Sequence, residues 1–196
     1  MANLKDIRDR IKSVKSIQKV TKAMKMVAAA KMRKAQERME QARPYSNSLS
    51  EIIEHLLPDV DRDSIAHLQV SEIKRKAYVV VSADRGLAGA FNTNLLKIAQ
   101  REIDEFGKDQ VDIFCIGKKA RDHFNYRNYN VLESHIDFWA EMEFENAMMI
   151  GRSVIDHFTS GSVDEIHVVY NYFTNIAQQE VKSETLLPLS LSLIHI

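Results

Sequence analysis

The sequence is poor in everything that bends or staples a chain. One cysteine, Cys115, among 196 residues excludes an internal disulfide and favours a reducing compartment. Six glycines and three prolines exclude collagen-like and linker-like classes. The first proline is Pro44 and the first glycine Gly86, so 43 residues pass without a helix breaker, and no aromatic precedes Tyr45. No apolar run approaches the ~18 residues that a membrane span needs. The opening Met1–Asp6 has neither an apolar signal segment nor a Ser-rich transit character, so the mature chain is expected to begin where the reading frame begins.

Net charge is also missing, because 27 Lys/Arg balance 27 Asp/Glu. The balance conceals a division. Residues 1–43 hold 13 cations and 4 anions, a net of +9, and the remainder carries −9. In that first segment apolar residues recur at Leu4, Ile7, Ile11, Val14, Ile17, Val20, Met24, Ala28, Met32, Ala35, Met39 and Ala42. Gaps of three and four describe a coiled-coil seam. A strict heptad from Leu4 would place Gln18, Thr21 and Lys25 in the core, so the seam slips back one residue there, a local overwinding. Asn3 is placed to cap the helix, with Asp6 and Asp9 near its positive end. About 41 residues make a rod of roughly 60 Å, too long to be covered by the rest of the chain.

A second stripe, Lys5, Arg8, Lys12, Lys15, Lys19 and Lys22, lines one face of the same helix. Like charges at these spacings oppose the helix by a few tenths of a kcal/mol per pair. Either an acidic partner offsets that repulsion or the face is simply solvated. Nucleic acid is disfavoured: apolar and basic stripes share the same turns, no aromatic offers stacking, and carboxamides for base readout are few.

Past Pro44 a short polar patch precedes a helical run from Leu49 to Leu57, and 58–75 reads as a connector. Asp59, Asp61 and Asp63 imitate a calcium loop but lack its glycine and its closing glutamate. From Lys76 the period changes. Buried strands are expected at Ala77–Val81 and Val111–Ile116, another near Val131–Leu132, one over Glu165–Tyr172 and a more polar one over Gln178–Leu186. Helices are expected at Asn94–Phe106, Lys118–Phe124 and Glu143–Phe158. The fold class is α/β: a long coiled-coil helix (1–57), a connector (58–75) and a Rossmann-like, mostly parallel sheet domain with an edge strand (76–189).

The loop Ser82–Asn92 lies where such folds bind phosphate, yet it has neither the dinucleotide nor the P-loop glycine pattern, and a plain turn into the next helix accounts for it. The seven histidines make no metal pair at helical spacing, no nucleophile elbow occurs, and Cys115 sits in an apolar strand as an inert small hydrophobe.

Three blocks resemble the γ subunits of F-type ATP synthases: Ile7-Arg8-x-x-Ile11, the run Thr21–Met32 (TKAMKMVAAAKM), and Arg43-Pro44-Tyr45. The loop Ser82–Asn92 is similar to that family's Ser-x-Asp-Arg-Gly-Leu-Cys-Gly-Gly-x-Asn, with Ala88 and Ala90 as departures. The resemblance runs to Leu189. It implies a central-stalk rotor subunit that couples proton flow to ATP synthesis at sites on α and β, with no catalytic residue, cofactor or metal of its own. It implies contact with the α/β ring through Lys22, Met24, Lys25 and Lys31, a shaft seam of Leu4, Ile7, Ile11, Val14, Ile17, Val20, Ala28 and Met32, and a family loop carried by Asp84, Arg85, Gly86, Gly89 and Asn92. It further implies ε and c-ring partners, no nucleic acid, and attachment to the cytoplasmic face of a bacterial plasma membrane through the complex alone. Family members continue into a second long helix, whereas residues 190–196 read as an atypical, truncated tail. Two other readings compete: a self-associating coiled-coil module with a Rossmann-like domain and no rotary role, and a nucleotide-binding enzyme built on the Ser82–Asn92 loop.

Overall fold

The computed structural model describes residues 3–61, 65–69, 71–137, 139, 144–175 and 178–189; the tail 190–196 and Asp63 lie outside the described residues. The chain forms two compact units, Met1–Asp59 and Val60–Ile196.

The first unit is one helix, α1 (Leu4–Leu56), 53 residues long and so about 80 Å from end to end. Asn3 holds the expected N-cap position in extended conformation, but its side chain makes no capping bond. The cap is its carbonyl, which accepts from the Ile7 N–H at 3.2 Å. Pro44 does not break the helix, contrary to the polar interruption expected after it. A proline inside a helix forfeits one backbone bond and crowds the preceding turn, at about 3 kcal/mol. Here the neighbouring residues are exposed, so water can satisfy the freed carbonyl of Glu40, and the long run of good helix formers before it carries the helix through.

The second unit has the order β1 (Lys76–Val81), α2 (Phe91–Phe106), β2 (Val111–Ile116), α3 (Lys118–Tyr126), β3 (Val131–His135), α4 (Phe144–Thr159), β4 (Glu165–Phe173) and β5 (Gln179–Leu187). Its sheet runs β3-β2-β1-β4-β5. β1 pairs parallel with both β2 and β4, β2 parallel with β3, and β5 lies antiparallel on β4 at the edge, where its polar sequence suits it. β1 alternates between two cores. Tyr78 and Val80 pack with Leu95, Ile103, Ile113 and Phe124 beneath α2 and α3. Ala77 and Val79 pack with Phe114, Val154, Phe158 and Ile166 beneath α4. Gly107, at φ 124°, ends α2, its N–H bonded to the Ile103 carbonyl at 2.9 Å. Cys115 is fully buried, and burial pushes its thiol up to about 12, which keeps it unreactive.

Candidate functional site

Two surfaces hold the residues singled out by the sequence, one in each unit. On α1 no described residue is buried. The seam is open to solvent: Leu4 is 66% exposed, Ile17 62% and Met24 66%, and Ile7, Ile11, Val14, Val20 and Met32 are exposed as well. An apolar line of this length left in water marks an interaction surface. Lys22, Lys25, Lys31 and Ala28 are exposed too. At about 100° per residue, Lys22 and Lys25 lie about 60° apart, while Met24 and Lys31 share the seam side two turns apart. The four contact candidates therefore spread over about half of the shaft's circumference rather than forming one tight patch. None of Lys5, Arg8, Lys12, Lys15, Lys19 and Lys22 has an ion pair among the described residues; α1 forms one between Arg33 and Glu37, at 3.0 Å. The cation stripe is thus left to solvent, free to face either water or an acidic surface.

In the sheet domain the Ser82–Asn92 loop follows β1 at the carboxyl end of the parallel strands. It is more than a turn into α2. The Asp84 carboxylate accepts from the backbone N–H of Lys118 (2.7 Å), the first residue of α3, and of Asp137 (3.0 Å) beyond β3. The Asn92 side chain accepts from the Ala83 N–H at 3.0 Å and donates to the Arg85 carbonyl at 3.4 Å. Ser82 Oγ accepts from the Ala120 N–H at 2.8 Å. Asp84 and Asn92 therefore hold the loop's shape and tie it to the ends of three strands. Arg85, Gly86, Leu87 and Gly89 form its exposed crown, Leu87 (φ 62°) and Gly89 (φ 56°) both in left-handed conformation. Because Asp84 already occupies the N-terminus of α3 with negative charge, this loop disfavours an anion there.

Sequence reasoning missed a buried ionic network at the opposite ends of the strands. Asp112 in β2 is 3% exposed and accepts from Arg75 Nε (2.9 Å) and Nη2, from Asn130 Nδ2 (2.6 Å) and from His157 Nε2 (3.0 Å). Burial alone would raise its carboxyl, yet the bonds from Arg75, His157 and Asn130 outweigh it and hold the group below the usual carboxylate range. The signal was one acid inside the apolar run VDIFCI: a buried carboxylate must be partnered. Asp164, just before β4, is likewise held low, by backbone N–H bonds from Lys74 (2.8 Å) and Arg75 (2.9 Å). Among the described residues there is no cluster that could hold a metal ion, and no helix is long and apolar enough to cross a membrane. An open groove of about 630 Å³ beside α4, over Phe114 and Leu132, contains none of the sequence-selected residues.

A family model described as ATP synthase matches residues 3–194. The ATP synthase gamma chain of Chloroherpeton thalassium is 44% identical over 196 residues, covering 97% of this chain and 64% of that relative. That of Prosthecochloris aestuarii is 43% identical, covering 97% and 67%. A cryo-EM structure of the Tetrahymena thermophila mitochondrial ATP synthase central stalk and c-ring superposes with a TM-score of 0.69 at 25% identity, covering 86% of this chain and 72% of that one. The chain spans about two thirds of the length of the curated relatives it matches. With sequence, fold and open helix in agreement, the chain belongs to the ATP synthase gamma chain family.

Proposed function

We propose that this chain serves as the central-stalk rotor of an F-type ATP synthase, coupling proton flow through the membrane sector to ATP synthesis on α and β. One observation carries the reading: a 53-residue helix with no buried residue bears an apolar seam and an unpaired cation stripe. A helix of that length is too costly to leave bare unless other chains cover it. Cations at Lys22, Lys25 and Lys31, with Met24 among them, suit acidic surfaces presented in turn by the surrounding ring. The small residues Ala28, Ala29 and Ala30 keep the shaft slim where it must pass several copies of one surface. In this reading the chain does no chemistry itself: it meets α and β along α1, ε and the c ring through the sheet domain, and reaches the cytoplasmic face of a bacterial membrane only through the complex.

The test reverses charge on the shaft. A chain carrying Lys22→Glu, Met24→Glu and Lys25→Glu is expected to bind purified α and β subunits at least about 30-fold more weakly, since like charges facing an acidic interface cost about 2 kcal/mol or more. Co-elution with α and β, and the ATPase activity of the assembled complex, check it. Unchanged binding and activity would remove the contact assignment.

A further inference from the structure

The topology brings the two chain connections of the sheet domain to one place. β1 starts, and β5 finishes, at the amino end of the parallel strands, because β5 runs antiparallel to β4 and Leu187 lies opposite Ile166. Tension drawn through both connections would peel β1 and β5 from that end, loading their hydrogen bonds one at a time. The connector entering β1 is fastened against this. The Asp164 carboxylate accepts from Ser71 Oγ (3.3 Å) and from the N–H groups of Lys74 (2.8 Å) and Arg75 (2.9 Å), while Asp164 N–H donates to the Arg75 carbonyl at 2.9 Å. The Arg75 guanidinium forks onto Asp112 and also reaches the Asp109 carbonyl at 3.4 Å. Arg75 is thus held from the β4 side by its backbone and from the β2 side by its side chain. Farther back, the His67 carbonyl accepts from the Leu189 N–H at 2.8 Å, joining the incoming connector to the outgoing one.

We propose that Arg75, clamped between Asp164 and Asp112, is a mechanical latch through which force passes between the sheet domain and its incoming connector. The inference rests on the rotor reading, which requires the sheet domain to bear torque, and it adds the residues that carry it. The same bonds stabilise the fold, and their place at the entry to β1 also puts them in the path of any pull on the incoming connector. Charge-assisted and bidentate bonds suit a latch because they are strong and geometrically fixed.

The test is force spectroscopy on the whole chain, held between a cysteine at position 51 (Glu51→Cys) and one appended at the C-terminus; buried Cys115 does not compete for the handles. In the otherwise unaltered chain the connector stays attached until the sheet domain unfolds. In Asp164→Ala, and in Arg75→Lys, which keeps the charge and loses the fork, the connector is released first. About 10 residues then come free, a lengthening of roughly 35 Å at a lower force, with the domain's own unfolding step still following. Should Asp164→Ala lack that later step and so be unfolded from the start, Arg75→Lys decides. Early release in the unaltered chain, or a folded variant that holds to the unaltered force, overturns the latch. No α or β subunit is present in this measurement, so failure to bind those subunits would overturn the rotor reading while leaving the latch standing.

Discussion

An Asp112→Ala chain unfolds in urea with its stability lowered by about 3–5 kcal/mol, the usual result of removing one partner from a buried ion pair. The carboxylate is almost wholly enclosed, with its side chain 4% exposed, and its loss strands four donor atoms on three residues at once. Arg75 is 38% exposed at its side chain and can partly rehydrate, so the lower half of that range is expected. The midpoint should move while the urea slope stays fixed. As a control, Asp122→Ala removes an exposed pair with Arg121 at 2.7 Å and should cost no more than about 1 kcal/mol. The network also dictates a pH dependence. A carboxyl held below its unfolded value contributes stability that is complete above about pH 4 and disappears as pH falls through the folded value. Asp112→Ala should therefore flatten the acid limb of the stability curve, and a parallel loss at every pH would contradict the assignment.

Gly117→Ala is the second large effect. Gly117 sits at φ 97° between β2 and α3, and a Cβ there would lie 2.1 Å from the Ser82 carbonyl oxygen and 2.8 Å from Ser82 Oγ. Neither contact can be relieved by moving a flexible tip. The first is backbone, and the second belongs to a hydroxyl that accepts from the Ala120 N–H. Left-handed strain and overpacking together should cost about 2–5 kcal/mol, read as a fall in the urea midpoint. Gly151→Ala gives the contrast. It lies within α4 with nothing inside 4 Å of the added carbon, so it should gain up to about 1 kcal/mol from helix propensity. Equal effects at the two glycines would refute the steric account.

What the sequence made legible was whatever depends on local period. The helix over Leu4–Met32, the β-branched run Tyr78–Val81 and the helix stop at Gly107 each rest on neighbours within a few residues, and each stands where the pattern put it. The polar edge strand was readable for the same reason, since Gln179–Leu187 lacks a continuous apolar run. Pro44 defeated a local rule, because the cost of one lost bond is small against a helix that continues for a further twelve residues. The Asp112 network was illegible in detail: Arg75, Asn130 and His157 come from three separate parts of the chain, and only sheet pairing brings them together. The loop role of Asp84 was likewise hidden, because its partners at Lys118 and Asp137 lie 34 and 53 residues away. Side chains that answer to distant backbone leave no periodic trace.

The measurement that bears most directly on the whole account is a pulsed electron-spin distance between labels at Lys19 and Ser50, both exposed on α1 and placed on either side of Pro44. One unbroken helix sets them about 46 Å apart, at 1.5 Å for each of the intervening residues, with a narrow distribution. A broad distribution, or one centred below about 35 Å, would mean that α1 bends or melts between the labels, and a shaft of that kind could not carry torque.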